Sequence, residues 1–211
     1  LSNAQYHADF NHQMLGVAID FKLEGNHNAA IPLLESVVDK DPENLTAQRL
    51  LIQSLMALHH NEQASEKLTE VLAIAAQEED SDELTRLKYL EAIHFILVKD
   101  YQRANDVINT ALTITQANHD WLYRAYLTEL KARIAIQENE LTKAESLFYQ
   151  AMKYHQVLKC PVGETASWVN LAYLAKLKSD NETEKTLLKK ALTMAKNRGL
   201  TRQIEQIKNL M

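Results

Sequence analysis

Ala111, Ala151 and Ala191 stand 40 residues apart, and the same step joins Ala92 to Ala132 and Ala172 and takes Ala104 to Ala144. A fixed period of this length marks a repeat architecture and restricts the chain to solenoids, propellers or arrays. The composition narrows the choice. With 4 glycines and 3 prolines in 211 residues there is little material for hairpin turns, so the repeating element is helical.

The first two units step by 34 instead of 40. Ala30 maps to Ala64, Leu34 to Leu68, Val37 to Val71, Val17 to Leu51 and Phe21 to Leu55. From Ala64 to Ala104 the step is 40, the extra residues entering around Gln77-Glu78-Glu79-Asp80-Ser81-Asp82 and lengthening the later helices. Five helix pairs follow, near 7–24 and 28–39, 45–59 and 62–77, 82–98 and 101–117, 121–138 and 141–158, and 164–179 and 182–198, with a short last helix at 201–210. The units span about 7–42, 45–79, 82–119, 121–160 and 164–199. Gly25 separates the first pair, and Pro42 stops the second helix. Pro32 is expected in the first turn of its helix, where a missing N–H costs little. Pro161 with Gly163 is expected to break the chain before the fifth pair, and Ser81 to cap the helix that carries Asp82 and Glu83. Gly199 follows Lys196 and Arg198 as a left-handed C-cap.

These positions resemble the tetratricopeptide repeat (TPR) family. Its pattern places a large residue, a Leu and a small residue in the first helix, then a small residue, an aromatic or Leu and a second small residue in the second. The first unit reads Met14, Val17, Ala18, Phe21, Gly25, Ala30, Leu34, Val37, Pro42; the third Ala92, Phe95, Tyr101, Ala104, Ile108, Ala111. The fourth reads Ala132, Ala135, Leu141, Ala144, Phe148, Ala151, and the fifth Trp168, Leu171, Ala172, Ala175, Leu188, Ala191. Glu184 departs from the small residue, and Glu91 and Lys131 from the Leu. The resemblance covers residues 11–199. It implies an all-α fold: a right-handed α-solenoid of about five TPR-like helix pairs with a C-terminal capping helix, one superhelical domain over 5–211. The 40-residue units are similar to the TPR regions of bacterial signal-transduction and transcriptional regulators, where such an array sits beside a DNA-binding domain.

Chemistry-bearing motifs are scarce. The eight histidines (His7, His12, His27, His59, His60, His94, His119, His155) include no pair at i,i+4 and no His-Glu-x-x-His, so no metal site is expected and they read as surface or turn residues. Cys160 is the sole cysteine, with His155 five residues away and no acid at a supportive spacing, so no catalytic triad is read here. No phosphate-binding glycine loop occurs, and neither an enzymatic activity nor a cofactor is expected. The net charge of −5 selects no partner class, although residues 181–211 carry seven bases against three acids. That basic end reads as a solvated helix face, and nucleic acid is expected only through a domain outside this chain. No apolar run is long enough to span a membrane. Ser2-Asn3-Ala4 resembles an expression-tag remnant at 1–4. The lone thiol fits the cytoplasm, with a periplasmic setting open.

The TPR register implies a concave groove lined by first helices: Arg49 and Gln53, Arg86 and Tyr89, Tyr126, Glu129 and Arg133, then Asn170, Tyr173 and Lys176. Arg and Tyr combine flat contact area with hydrogen-bond donors. The clamp by which some TPR domains hold a C-terminal carboxylate needs Lys and Asn where this chain has Leu15 and Ile19. Leu15, Ile19 and Leu23 make the first helix apolar on more than one face, as a helix with a second partner is. Three functions follow: a non-catalytic protein- or peptide-binding scaffold within a larger regulator, a sensor whose superhelix responds to a small molecule or peptide, or an oligomerisation module forming a homodimer.

Overall fold

The computed structural model describes residues 3–211, and of residues 3, 4 and 6–9 the backbone alone. The Ser2-Asn3-Ala4 segment and His7 therefore lie wholly or partly outside the described residues. Among them the chain forms eleven α-helices and no strand, divided into two compact units, residues 1–100 and 101–211.

The first compact unit holds α1 (Asn3–Leu23), α2 (His27–Lys40), α3 (Leu45–Ala57), α4 (Asn61–Gln77) and α5 (Ser81–Leu97). Each helix packs on the next, and α3 also touches α1 and α5, so these three first helices lie side by side. Ala18, Ala30, Leu34, Val37, Leu51, Ile52, Leu55, Leu68 and Leu87 fill the core. Val17, in register with buried Leu51, is 47% exposed. The second unit holds α6 (Tyr101–Ala117), α7 (Trp121–Gln137), α8 (Leu141–Val157), α9 (Pro161–Leu177), α10 (Asn181–Asn197) and α11 (Thr201–Leu210). Successive helices pair here too, and α11 closes on α9 and α10.

Helix α8 shows why the sequence folds this way. Ala144, Phe148, Ala151, Met152 and His155 recur at helical spacing and form one buried stripe. Every alanine of the 40-residue ladder is buried, with Ala104, Ala111, Ala144, Ala151 and Ala191 wholly out of solvent. A methyl at those points lets neighbouring helices approach, and the large residues between fill the remaining volume.

The period has a finer division. Residues 59, 79, 99, 119, 139, 159, 179 and 199 all take positive φ, a left-handed turn every twenty residues, and only Gly199 among them is glycine. Seven of these turns close with the next N–H donating back to a helix carbonyl, among them His60 to Leu55 (2.9 Å), Asp100 to Phe95 (2.8 Å), Glu140 to Ala135 (2.7 Å) and Asp180 to Ala175 (2.9 Å). The same residue then opens the following helix. Asp80, Asp120 and Asp180 accept the N–H groups of Glu83, Tyr123 and Thr183.

Three expectations are corrected. Asp80, not Ser81, is the N-cap of α5, because its carboxylate meets the third N–H of the helix. Helix α9 begins at Pro161 instead of 164; Pro161 occupies the first helical position and Gly163 lies inside the first turn. Pro32 lies beyond the first turn of α2, since Asn26 caps that helix through Ala29 N–H and starts it at His27.

Candidate binding surface

On the first unit, α1, α3 and α5 present a polar stripe. Arg49 does not stand free in it: Nε and Nη2 donate to the two oxygens of Glu83 at 2.7 and 3.2 Å. Thr46 Oγ1 donates to Glu83 at 3.1 Å, and Arg86 lies 3.7 Å from the same carboxylate. Lys22 donates to Gln53 Oε1 at 2.6 Å and to the Leu50 carbonyl at 3.4 Å. Burial and then the nearby Arg49 charge hold the Lys22 amine down at about 8. Tyr89 is half-buried beside the core. Leu15 packs against the core, whereas Ile19 and Leu23 are 37% and 75% exposed. Arg49 and Arg86 thus meet at Glu83 and Gln53 meets Lys22, two residues that periodicity did not single out, whereas Tyr89 packs on the core. Glu83 sits one turn before Arg86, and that spacing was its available signal.

On the second unit, α7 supplies Tyr126, Glu129 and Arg133. Tyr126 packs edge-on to Tyr123 at 5.5 Å and lies 5.8 Å from the His155 ring. Burial pushes its phenol up, with Cys160, Glu129 and Tyr123 adding to the shift. Glu129 turns inward and accepts from His155 Nε2 at 3.0 Å. Arg133 is exposed. From α9, Asn170 is half-buried, Tyr173 is 52% exposed, and Lys176 approaches Glu184 at 4.0 Å. Glu184, the acid in place of the expected small residue, stands in the first turn of α10. Val169, Asn170, Tyr173, Lys176, Glu184 and Leu210 line a cleft of about 260 Å³. A second cleft of about 170 Å³ adjoins it between α9 and α11, lined by Thr165, Asn170, Gln203, Gln206 and Ile207.

The reading of the histidines as surface or turn residues fails at His155, which is fully buried. A carboxylate only accepts, so Nε2 carries the proton toward Glu129, while Nδ1 has no hydrogen-bond partner. The ring lies against Gly163: a Cβ built there would meet His155 Nδ1 at 2.2 Å. Gly163 is therefore a packing glycine, and α9 continues through it. His27 and His94 are also half-buried, paired with Ser54 and Ser65 at 3.2 and 3.4 Å. Cys160 is a free thiol at the N-cap of α9, and the nearby imidazole is engaged with Glu129. Among the described residues no three His, Cys, Asp or Glu stand together to hold a metal, and no helix is long and apolar enough to cross a membrane.

A family model, Tetratricopeptide repeat, matches residues 23–87. No curated protein matches the sequence. Among solved structures, BtubC from P. vanneervenii is similar at 16% identity and a TM-score of 0.73, over 93% of this chain and 84% of its own. A Signal Transduction ATPase with Numerous Domains, with a tetratricopeptide repeat sensor, from Pyrococcus horikoshii is similar at 17% identity and a TM-score of 0.76. That match covers 95% of this chain and 32% of that one. The apo form of RapI is similar at 14% identity and a TM-score of 0.74, over 95% and 75%. With a model match that runs from the end of α1 into α5, helix pairs of the same build beyond it, and structural neighbours of that class, the chain has the tetratricopeptide-repeat fold.

Proposed function

We propose that the chain is a non-catalytic interaction module, one array over 5–211, that takes a protein or peptide segment on the faces formed by the first helix of each pair. The observation that carries this reading is the exposed set Arg133, Tyr173 and Lys176, the last two beside the 260 Å³ cleft on α9. Arg and Tyr on a rigid helical face are the residues that anchor protein contacts. We place the chain in the cytoplasm as the sensory or interaction part of a larger bacterial regulator; of that reading, the sensory role within a larger protein draws support from the tetratricopeptide repeat sensor that the Pyrococcus horikoshii protein carries.

The test is capture of partners by the wild-type chain and by an Arg133→Ala/Tyr173→Ala double variant. Both side chains are exposed, so the melting temperature is expected to stay within about 2 °C while capture is lost. Capture that survives the double substitution overturns the assignment of this face.

A second reading, a sensor for a small molecule or short peptide, is favoured by the 170 Å³ cleft between α9 and α11, with its amide lining. Ligands that bind only the folded chain raise its melting temperature, so a thermal-shift screen separates this reading from a scaffold. A homodimer through Ile19 and Leu23 predicts twice the monomer mass in light scattering, abolished by Leu23→Glu.

A further inference from the structure

Resting on the reading of the chain as a sensor, we propose that the cleft between α9 and α11 is a receptor for a small uncharged molecule with a cis-amide edge. That edge, an N–H donor and a carbonyl acceptor side by side, belongs to primary carboxamides and to lactam rings such as the nucleobases.

The seam that holds the cleft is closed differently from its counterpart in the first unit. Where α3 meets α5, Arg49 and Glu83 bridge the two helices at 2.7 Å. Between α9 and α11 the facing polar side chains are Asn170, Gln203 and Gln206, and they line about 170 Å³ of space.

A hydroxyl marks the site. Thr85 and Thr165 are two 40-residue periods apart, and both are buried, at 0% and 1% exposure. Thr85 donates to the Ser81 carbonyl one turn back at 2.9 Å, as a threonine inside a helix commonly does. Thr165 lines the cleft, and its Oγ1 has no hydrogen-bond partner. A buried hydroxyl left unpaired is destabilising, and a ligand that bonds to it removes that penalty. Threonine has two χ1 wells in a helix, so a single rotation suffices to present the oxygen to a ligand.

The lining sets the chemistry of the ligand. None of its side chains carries a charge, so an ionic group would be desolvated there without a counter-charge. In the adjoining 260 Å³ cleft, which shares Val169, Asn170 and Leu210, Lys176 and Glu184 stand 4.0 Å apart and offset each other. Val169, Ile207 and Leu210 supply an apolar wall for a ring. An Asn or Gln side chain is itself a carboxamide, and it pairs through two hydrogen bonds with a ligand of the same edge. A peptide bond in the trans form points its N–H and C=O to opposite sides and cannot make that paired contact.

The test is an NMR titration of the isotope-labelled full chain, to tens of millimolar, with nicotinamide, its acid nicotinate and N,N-diethylnicotinamide. Uridine, a lactam, and blocked tetraalanine, whose amides are trans, form further arms that separate a carboxamide from a nucleobase and from a peptide. Nicotinamide, uridine or both are expected to shift amides of α9 and α11 around Asn170 and Gln206. Binding should be about tenfold tighter than that of nicotinate or the diethyl amide. Gln203→Leu/Gln206→Leu is expected to erase the preference. Thr165→Val should weaken binding several-fold while holding or raising the melting temperature, because it removes an unpaired hydroxyl. A lower melting temperature with unchanged affinity would make Thr165 merely structural and overturn its role. Equal affinity for nicotinamide and its diethyl amide overturns the proposal. So does a preference for nicotinate or tetraalanine, or the absence of shifts with every compound. A different metabolite that still raises the melting temperature in the thermal-shift screen then leaves the sensor reading standing and removes only the cis-amide site.

Discussion

At the scale of single residues, the left-handed turns and Lys22 yield the most direct predictions. A side chain at positive φ costs about 1 kcal/mol, and Glu79 and Lys159 hold φ of 56° and 51°. Replacing either by Gly should raise stability by about 0.5–1 kcal/mol after the loss in unfolded-state entropy, read as a higher denaturation midpoint. An unchanged midpoint at both positions would contradict the strain. For Lys22 the folded amine titrates near 8 and the unfolded one near 10.5, so between those values the unfolded chain binds the extra proton. Its contribution to stability therefore rises from pH 8 to about 10.5. Urea melts at pH 7.5 and 10 should show that rise in the wild type and a flatter response in Lys22→Met. Periodicity could not single out Lys22, because its environment is made by Arg49 and Gln53, which lie far along the chain on another helix.

At the scale of elements, the seam of α7, α8 and α9 depends on a glycine. Gly163→Ala places a methyl on the His155 ring, and with helix on both sides the imidazole must leave Glu129. The expected loss is about 1–3 kcal/mol, and a Gly163→Ala/His155→Ala pair should recover part of it in a double-mutant cycle. Strict additivity would mean the two residues do not meet. Removing the cap of α7 by Asp120→Ala should cost about 1 kcal/mol, since the N–H of Tyr123 then loses its acceptor. Helix limits were legible in the sequence within a few residues everywhere except the starts of α1 and α9. The latter was misplaced because Pro161 and Gly163 read locally as breakers. Proline suits a first helical position, and the glycine is required by a ring that the preceding helix brings over it.

At the scale of the whole molecule, each helix depends on its neighbours, so stability is expected to vary along the array. Helix α11 buries Ile207 against its neighbours on α9 and α10 and has nothing among the described residues on its far side. Hydrogen exchange should find its amides opening well before those of α7 and α8, which are covered on both faces. Equal protection would show that the second unit opens only as a whole.

The sequence by itself determined the repeat, the helix pairs and the small residues at helix crossings, because burial of a helical stripe is periodic and period survives in one dimension. The departures Glu91, Lys131 and Glu184 were visible too, although not their partners. The tertiary structure alone decided that Arg49 is held by Glu83, that Glu129 is turned onto a buried His155, and that Lys22 belongs to the polar face. Those outcomes depend on which side chains from separate helices meet, and on the cost of leaving a buried polar group unpaired. A 40-residue period records where helices touch, not which charges they bring together.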